Sequence, residues 1–400
     1  MADIRVGVFG AWRGNSYIKL MMEEERIELV AICDKNIHTQ EKKNDFKDIA
    51  LFEDFDEFLE YGKKNGMNAV FLANYFHQHA PYAIKAMEAG MDVVSECTAA
   101  GTLKECVELV EAVERTGRKY MIAENYPFMT KNLKMNQIIE TGALGRLVYA
   151  EGEYNHSGNN DELKNLTPGP WHWRAWMPRT YYVTHAMGPL MYMTKTMPKY
   201  VSARAAHSDL LYELKDWRHN YDALGMMFCE MDNGMVARFT GCTAMASDYS
   251  RYRICGDIAG VEDGDNIADG AVRMFYFQHT KPADWEENVK LFPADLKEFG
   301  EKGIRAEKAG HGGGDYWVVQ HMIDYFADGI EPFFNVYRAV AMSATGILGW
   351  RSCLNHGENY KVPDFTNIEE RNAVRNDDLT PFPDENGNGI TLPCALPFEK

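Results

Sequence analysis

Arg5-Val6-Gly7-Val8-Phe9-Gly10-Ala11-Trp12-Arg13-Gly14 is the stretch whose reading decides the fold. The apolar run Arg5 to Phe9 predicts a strand, and Ser16 to Glu25 predicts a helix after it. Glu28 to Cys33 predicts a second strand that ends at Asp34 and completes a βαβ unit. Glycines between a first strand and its helix let backbone approach a pyrophosphate at a helix N-terminus. The spelling is irregular. A Gly-x-Gly-x-x-Gly pattern begun at Gly10 puts Trp12 and Asn15 at glycine positions, and with Gly14 as the third glycine the loop is one residue short. A plain strand-to-helix glycine turn is the competing reading. Asp34 follows the loop by about 20 residues, where a carboxylate accepts both ribose hydroxyls of NAD and repels a 2′-phosphate. NAD is therefore favoured over NADP, although Lys35 beside it leaves room for NADP and an ordinary turn aspartate is the alternative.

The alternation continues outward from this unit. Helices are expected at Phe55–Asn65, Tyr82–Ala89 and Leu103–Thr116, and strands at Asn68–Ala73, Asp92–Ser95 and Tyr120–Ala123. Such an order predicts an α/β Rossmann domain over residues 1–124, a doubly wound parallel sheet with its ligand at the carboxyl ends of the strands. After Asn125-Tyr126-Pro127 the pattern changes. Leu147–Tyr154, Met226–Met231 and Met235–Cys242 read as longer strands, the last two joined by the hairpin signal Asp232-Asn233-Gly234. Helices at Met129–Thr141, His185–Thr196, Tyr316–Gly329 and Val336–Cys353 would cover one face of this sheet. Residues 125–357 thus read as an α+β substrate domain with a large, mostly antiparallel sheet. Residues 156–180 read as a long loop, and 358–400 as an extension that clasps the domains or another subunit.

Composition narrows the function. A formal charge of −17 over 400 residues repels phosphate backbones and anionic membranes, which argues against nucleic acid and membrane surfaces and for a neutral or small ligand. The eight cysteines contain no Cys-x-x-Cys pair, so neither a zinc site nor a disulfide framework is expected. They read as thiols in a reducing compartment. No basic-then-apolar leader opens the chain and no apolar run reaches about 18 residues, so the expected location is cytoplasmic.

Several short segments concentrate chemistry. Ala73-Asn74-Tyr75-Phe76-His77-Gln78-His79-Ala80-Pro81 leaves a buried strand into a polar, aromatic turn, and Val93-Val94-Ser95-Glu96-Cys97-Thr98-Ala99-Ala100-Gly101 does so after the next strand. His77-x-His79 lacks a third ligand at useful spacing, so no metal is expected. Trp171-His172-Trp173-Arg174-Ala175-Trp176 supplies flat apolar faces and fixed donors of the kind sugar rings need, or else anchors a loop in a core. Tyr181-Tyr182-Val183-Thr184-His185-Ala186-Met187-Gly188-Pro189 pairs a phenol with an imidazole three residues on, a proton acceptor near neutrality beside a proton carrier. His185 as a helix cap or buried histidine is the other reading. In Ala309-Gly310-His311-Gly312-Gly313-Gly314-Asp315, Asp315 reads equally as a helix cap.

Together these segments resemble the Gfo/Idh/MocA oxidoreductases, and most closely the NAD-dependent glycosidases of glycoside hydrolase family 109. Glu96-Cys97-Thr98-Ala99-Ala100 is similar to that family's Glu-Val-Pro-Ala-Ala, where ordinary dehydrogenases have a Glu-Lys-Pro with a catalytic lysine. Tyr181 to Pro189 is similar to its Tyr-Pro-Thr-His-Gly-Leu-Gly-Pro. The resemblance implies cofactor contacts at Gly10, Trp12, Arg13, Gly14, Asp34, Asn74, Phe76, His79, Glu96, Cys97 and Asn125. It implies substrate contacts at Tyr154, Arg174, Trp173, Thr184 and His311, and catalysis by His185 and Tyr182. It further implies hydrolysis through transient oxidation at C3 of a sugar, elimination of the aglycone, water addition and re-reduction, since no carboxylate pair announces itself. A net sugar 3-dehydrogenase and a non-catalytic NAD- or sugar-binding protein are the rival functions. A homo-oligomer, formed through the second-domain sheet, is the expected assembly.

Overall fold

The structure is a computed structural model that describes residues 2–37, 46, 49–158, 160–167, 169–208, 219–220, 222–244, 248–264, 270–384 and 386–392. Cys394 and the end of the expected extension lie outside them. The chain forms two compact units. The first comprises Met1–Asn125, Ile304–Ser343 and Phe365–Asp378, and the second Tyr126–Gly303, Ala344–Asp364 and Leu379–Lys400. The sequence reading contained the break after the first sheet but not the later returns to the first unit. Those returns are held by long-range bonds. The amide of Ile122 donates to Phe334 O (3.2 Å), and Arg371 of the Ile368–Val374 helix pairs with Glu114 (2.7 Å).

In the first unit, strands β1 (Ile4–Phe9), β2 (Ile27–Cys33), β3 (Ala50–Phe52), β4 (Ala69–Leu72), β5 (Asp92–Ser95) and β6 (Tyr120–Ile122) form a wholly parallel sheet in the order β3-β2-β1-β4-β5-β6. Its central strands are apolar because parallel strands are covered on both faces. The order reverses between β1 and β4, so the crevice at Phe9 and Leu72 is where an open α/β sheet takes its ligand. The three-residue β3 escaped the sequence reading. So did the true start of the first helix, which spans Ala11–Met22 and not Ser16–Glu25. Gly10, at φ 100°, makes the turn alone, and any Cβ there would come 2.3 Å from Ala73 O. Gly14 is consequently a helix residue. It lies flush against β1, where an added Cβ would sit 2.9 Å from Val8 Cγ1, the close helix–strand contact that the third glycine of such fingerprints provides.

In the second unit, β7 (Leu147–Asn155), β8 (Pro198–His207), β9 (Asp222–Met231), β10 (Val236–Cys242), β11 (Tyr249–Gly256), β12 (Ala259–Glu262), β13 (Ala271–Tyr276), β14 (Val289–Pro293) and β15 (Tyr360–Lys361) form a sheet in the order β14-β13-β12-β11-β7-β10-β9-β8-β15. Every pairing is antiparallel except β7 with β10. The expected hairpin is present, with Gly234 at φ 82° and the Met231 amide bonded to Met235 O. Gly152 of β7 lets the Thr184–Thr194 helix pack against the sheet, since a Cβ there would lie 2.2 Å from Ala186 O.

The opposite face of this sheet carries a charge ladder. Arg238, Glu151, Arg253, Glu262 and Arg273 occupy successive strands β10, β7, β11, β12 and β13 in direct register. Arg238 pairs with Glu151 at 2.9 Å, Arg253 reaches Glu151 at 3.9 Å and Glu262 at 3.5 Å, and Arg273 closes on Glu262. The expected loop over 156–180 is corrected: it contains helices Asn160–Leu166 and Trp173–Trp176 and a 3₁₀ turn at Arg179–Tyr182. These pieces are too short to display a period, and buried Trp173 and Trp176 anchor the second of them.

Candidate functional site

The carboxyl ends of β1, β2 and β4 enclose a cavity lined by Phe9, Gly10, Asp34, Lys35, Asn36, Asn74, Tyr75 and Gln78. Asp34 is held in place by two backbone donors, the amides of Ala11 and Asn36, each at 2.7 Å. Both polar side-chain atoms of Asn74 are shielded and lack a hydrogen-bond partner among the described residues. A buried amide without partners costs free energy unless a ligand satisfies it. Phe76 is buried and Trp12 is 61% exposed.

His79 is fully buried, its Nδ1 2.7 Å from Thr98 O. Burial lowers its pKa despite backbone bonds to Thr98 and Asn74 and the charge of Glu96. The ring is therefore neutral with the proton on Nδ1, and it fastens the segment after β5. Within that segment Cys97 is buried, and its thiol donates to Glu124 Oε2 (3.1 Å). No amine stands in its place.

Arg13 organises the rest of this cluster. Its Nη2 lies 2.7 Å from Glu96 Oε1 and 3.6 Å from Asp315 Oδ1, and donates to Tyr17 OH at 3.2 Å. Asp315 also accepts from Asn125 Nδ2 (2.7 Å) and pairs with His311 Nδ1 (2.9 Å). Burial alone would push the Asp315 carboxyl up, but His311, Arg13 and Asn125 outweigh it and hold it at about 2. His311, read from sequence as a substrate contact in the second domain, is placed in the first unit with the cofactor cluster. Asp315, read as a helix cap, sits at the centre of that cluster.

The second unit gathers four rings. Tyr126 stacks on His185 with centroids 4.2 Å apart and planes 18° apart. Tyr154 meets His185 edge-on at 4.9 Å, and Tyr182 does so at 5.6 Å. Burial first, then Tyr182 and Tyr126, push the Tyr154 phenol well above its usual pKa, so it donates hydrogen bonds at neutral pH. The Arg174 guanidinium lies over Trp173 at 4.4 Å and over Tyr182 at 5.7 Å. Tyr252 OH donates to His185 O (2.5 Å), which fixes the first turn of the Thr184–Thr194 helix. Thr184 is buried in that turn, its hydroxyl without a hydrogen-bond partner among the described residues.

The structure thus gathers Tyr154, Arg174, Trp173, Thr184, Tyr182 and His185 in one unit, and Gly10, Arg13, Asp34, Asn74, His79, Glu96, Cys97 and Asn125 in the other. Tyr126 and Tyr252 are additions. Nothing in their local sequence distinguishes them from ordinary core tyrosines. Among the described residues no group of three His, Cys, Asp or Glu could hold a metal, and no helix is long and apolar enough to cross a membrane.

Three family models match the chain. The oxidoreductase family, NAD-binding Rossmann fold (Gfo/Idh/MocA) matches residues 4–124, the Gfo/Idh/MocA C-terminal domain residues 132–262, and the glycosyl hydrolase 109 C-terminal domain residues 230–371. An alpha-N-acetylgalactosaminidase of Shewanella oneidensis is 26% identical over 92% of this chain and 86% of its own. A glycosyl hydrolase family 109 protein of Solibacter usitatus is 26% identical over 91% and 88%. Among solved structures, a levoglucosan dehydrogenase in complex with NADH and L-sorbose superposes with a TM-score of 0.74 at 17% identity, covering 91% of this chain and all of that one, a likeness of fold.

Proposed function

We propose that this chain, a member of the Gfo/Idh/MocA superfamily whose second domain is of the glycosyl hydrolase 109 type, is an NAD-dependent glycosidase. Its relatives support an NAD-dependent, sugar-acting enzyme; hydrolysis is the finer reading. The observation that carries it is the cluster of Tyr126, Tyr154 and Tyr182 around His185, phenols and an imidazole placed to handle protons. A conventional glycosidase needs two carboxylates flanking the bond.

The first unit's residues fit the dinucleotide. Gly10, Asp34 and Asn74, whose side-chain amide has no hydrogen-bond partner among the described residues, line one cavity at the N-terminus of the Ala11–Met22 helix, where a phosphate is favoured. When bound, NAD supplies a reversible hydride acceptor for a sugar carbon, the chemistry that acidifies the neighbouring C–H and makes elimination at C1 feasible. The chain's own groups do the remainder. His185, held face-on by Tyr126, accepts the proton, and Tyr182 carries it between the sugar oxygens and the imidazole. Tyr154, kept protonated, donates to a sugar hydroxyl, while Arg174 and Trp173 hold the ring. The same proposal includes self-association through the outer face of the nine-stranded sheet, whose alternating charges are self-complementary.

The test is isotopic. Hydrolysis of a chromogenic glycoside in deuterated water is expected to place deuterium at C2 of the product, read by NMR, with no build-up of absorbance at 340 nm. A product without deuterium sinks the elimination route, and stoichiometric reduced cofactor identifies a net dehydrogenase instead.

A further inference from the structure

Beside Tyr182 lies a second cavity, lined by Arg174 and Arg179 with His156, Thr167 and Thr243 around them. It is small, about 30 Å³, the scale of a polar substituent. Two guanidinium groups in so small a space are unusual in a chain whose formal charge is −17.

Arg179 is buried, 6% exposed. Its Nη2 donates to Met177 O (3.2 Å), while its Nε is buried without a hydrogen-bond partner among the described residues. Burial disfavours its charged form, Asp222 favours it and Arg174 opposes it again. Asp222 accepts the Arg179 backbone amide at 2.6 Å and offsets part of the charge. Among the described residues no carboxylate pairs with Arg174, which lies over the faces of Trp173 and Tyr182. His156 faces Asp248 at 3.7 Å at an exposed edge. Two guanidinium groups are thus set against one buried carboxylate. Buried charge is retained where a partner satisfies it, and guanidinium forks match planar or tetrahedral oxyanions.

We propose that this cavity receives an oxyanion substituent of the substrate, a carboxylate or a sulfate ester, so that the enzyme acts on acidic glycosides. The inference rests on the glycosidase reading, and it gives the second unit a positive, focused entry on an otherwise acidic surface.

The experiment compares 4-nitrophenyl uronides, sulfated 4-nitrophenyl glycosides and their neutral parents with the NAD-loaded enzyme. An acidic substrate is expected to exceed its neutral parent in kcat/KM by about 10- to 100-fold, as hydrogen bonds to charged groups allow. That ratio is expected to collapse toward one in Arg179→Gln and in Arg174→Gln. The second variant covers the case in which the buried first one does not fold, and the uronide and sulfate arms tell the two oxyanions apart. Preference for neutral glycosides, or a ratio unchanged in the variants, overturns the proposal while leaving the glycosidase reading intact. If no glycoside turns over, glucuronate and glucose are titrated against tryptophan fluorescence. Binding of glucuronate alone, lost in Arg174→Gln, upholds the oxyanion site while the glycosidase reading fails, and equal or absent binding overturns both.

Discussion

Tyr126 lies flat on the imidazole of His185, with 4.2 Å between ring centroids. An imidazole in the first turn of a helix has two directions in which to swing, and the phenol ring closes one of them while Tyr154 closes the other edge-on. Tyr126→Ala removes the restraint without touching the proton acceptor. The expected result is a fall of about 10-fold in kcat with KM little changed, because a misplaced base loses rate before it loses binding. Tyr126→Phe keeps the ring and is expected to retain most activity. His185→Ala is expected to cost at least about 100-fold, the usual scale of general base catalysis, with NAD retained as measured by absorbance of the denatured supernatant. Equal losses in the Ala and Phe variants of Tyr126 would assign its role to the hydroxyl instead.

Asp315 gives the first unit a defined acid sensitivity. Its pKa is held at about 2 against 3.8 for a free side chain. A depressed carboxylate contributes stability that is fully present above the unfolded value and lost as pH falls through the folded one, here between about pH 4 and pH 2. The shift corresponds to about 2 kcal/mol. Asp315→Asn is therefore expected to be less stable than the parent by roughly that amount at pH 7 in urea unfolding, with the difference closing as the pH approaches 2. Because Asp315 also steadies Arg13 beside Glu96, the variant is expected to release NAD more readily in gel filtration at neutral pH. Unchanged retention would separate the ion cluster from the cofactor.

Much of the first unit was legible because parallel strands covered on both faces leave unbroken apolar runs such as Ala69-Val70-Phe71-Leu72. The second sheet was less so. Its outer face carries arginine and glutamate in alternation with buried residues, and strands such as Tyr249–Gly256 and Ala271–Tyr276 lose their apolar signature to that ladder. The closeness of His185 and Tyr182 could be read because they share one short segment. Asp315 could not be placed from the sequence, since the Asn125 amide that it accepts comes from 190 residues away. Arg179 was equally silent, and only its burial against a cavity distinguishes it from any surface arginine.

The register of Arg238, Glu151, Arg253, Glu262 and Arg273 makes the outer face of the second sheet the surface on which self-association is to be tested. Phe228 and Val236 stand exposed beside the ladder, 49% and 48% accessible. A face that mixes in-register charge with isolated apolar residues suits an isologous contact, since each row can meet its own complement in a second copy. Light scattering is expected to give a multiple of 45.6 kDa for the parent. Arg238→Glu combined with Phe228→Asp is expected to give the single-chain mass. A parent that is monomeric at micromolar concentration would leave the ladder as an intramolecular feature.

Asp263 makes the opposite prediction to Asp315. Burial pushes its carboxyl up to about 7, against the pull of the Tyr252 amide, Lys131 and Arg251. The amide of Tyr252 donates to it at 2.5 Å, and the phenol of the same tyrosine bonds the carbonyl of His185. For an acid whose folded pKa is raised, the cost to folding is absent below the unfolded value and grows as pH rises from about 4 to 7, above which it is constant. Asn at this position keeps an acceptor for the Tyr252 amide and carries no charge. Asp263→Asn is thus expected to match the parent near pH 4 and to exceed it by about 4 kcal/mol at pH 8 in urea unfolding. The carboxylate would then be retained for a purpose other than stability. Its loss is expected to appear as a flatter pH profile of kcat between pH 6 and 8, because its ionisation lies behind the helix turn that bears His185. A variant no more stable than the parent at pH 8 would mean that Asp263 ionises in the folded chain at its ordinary value.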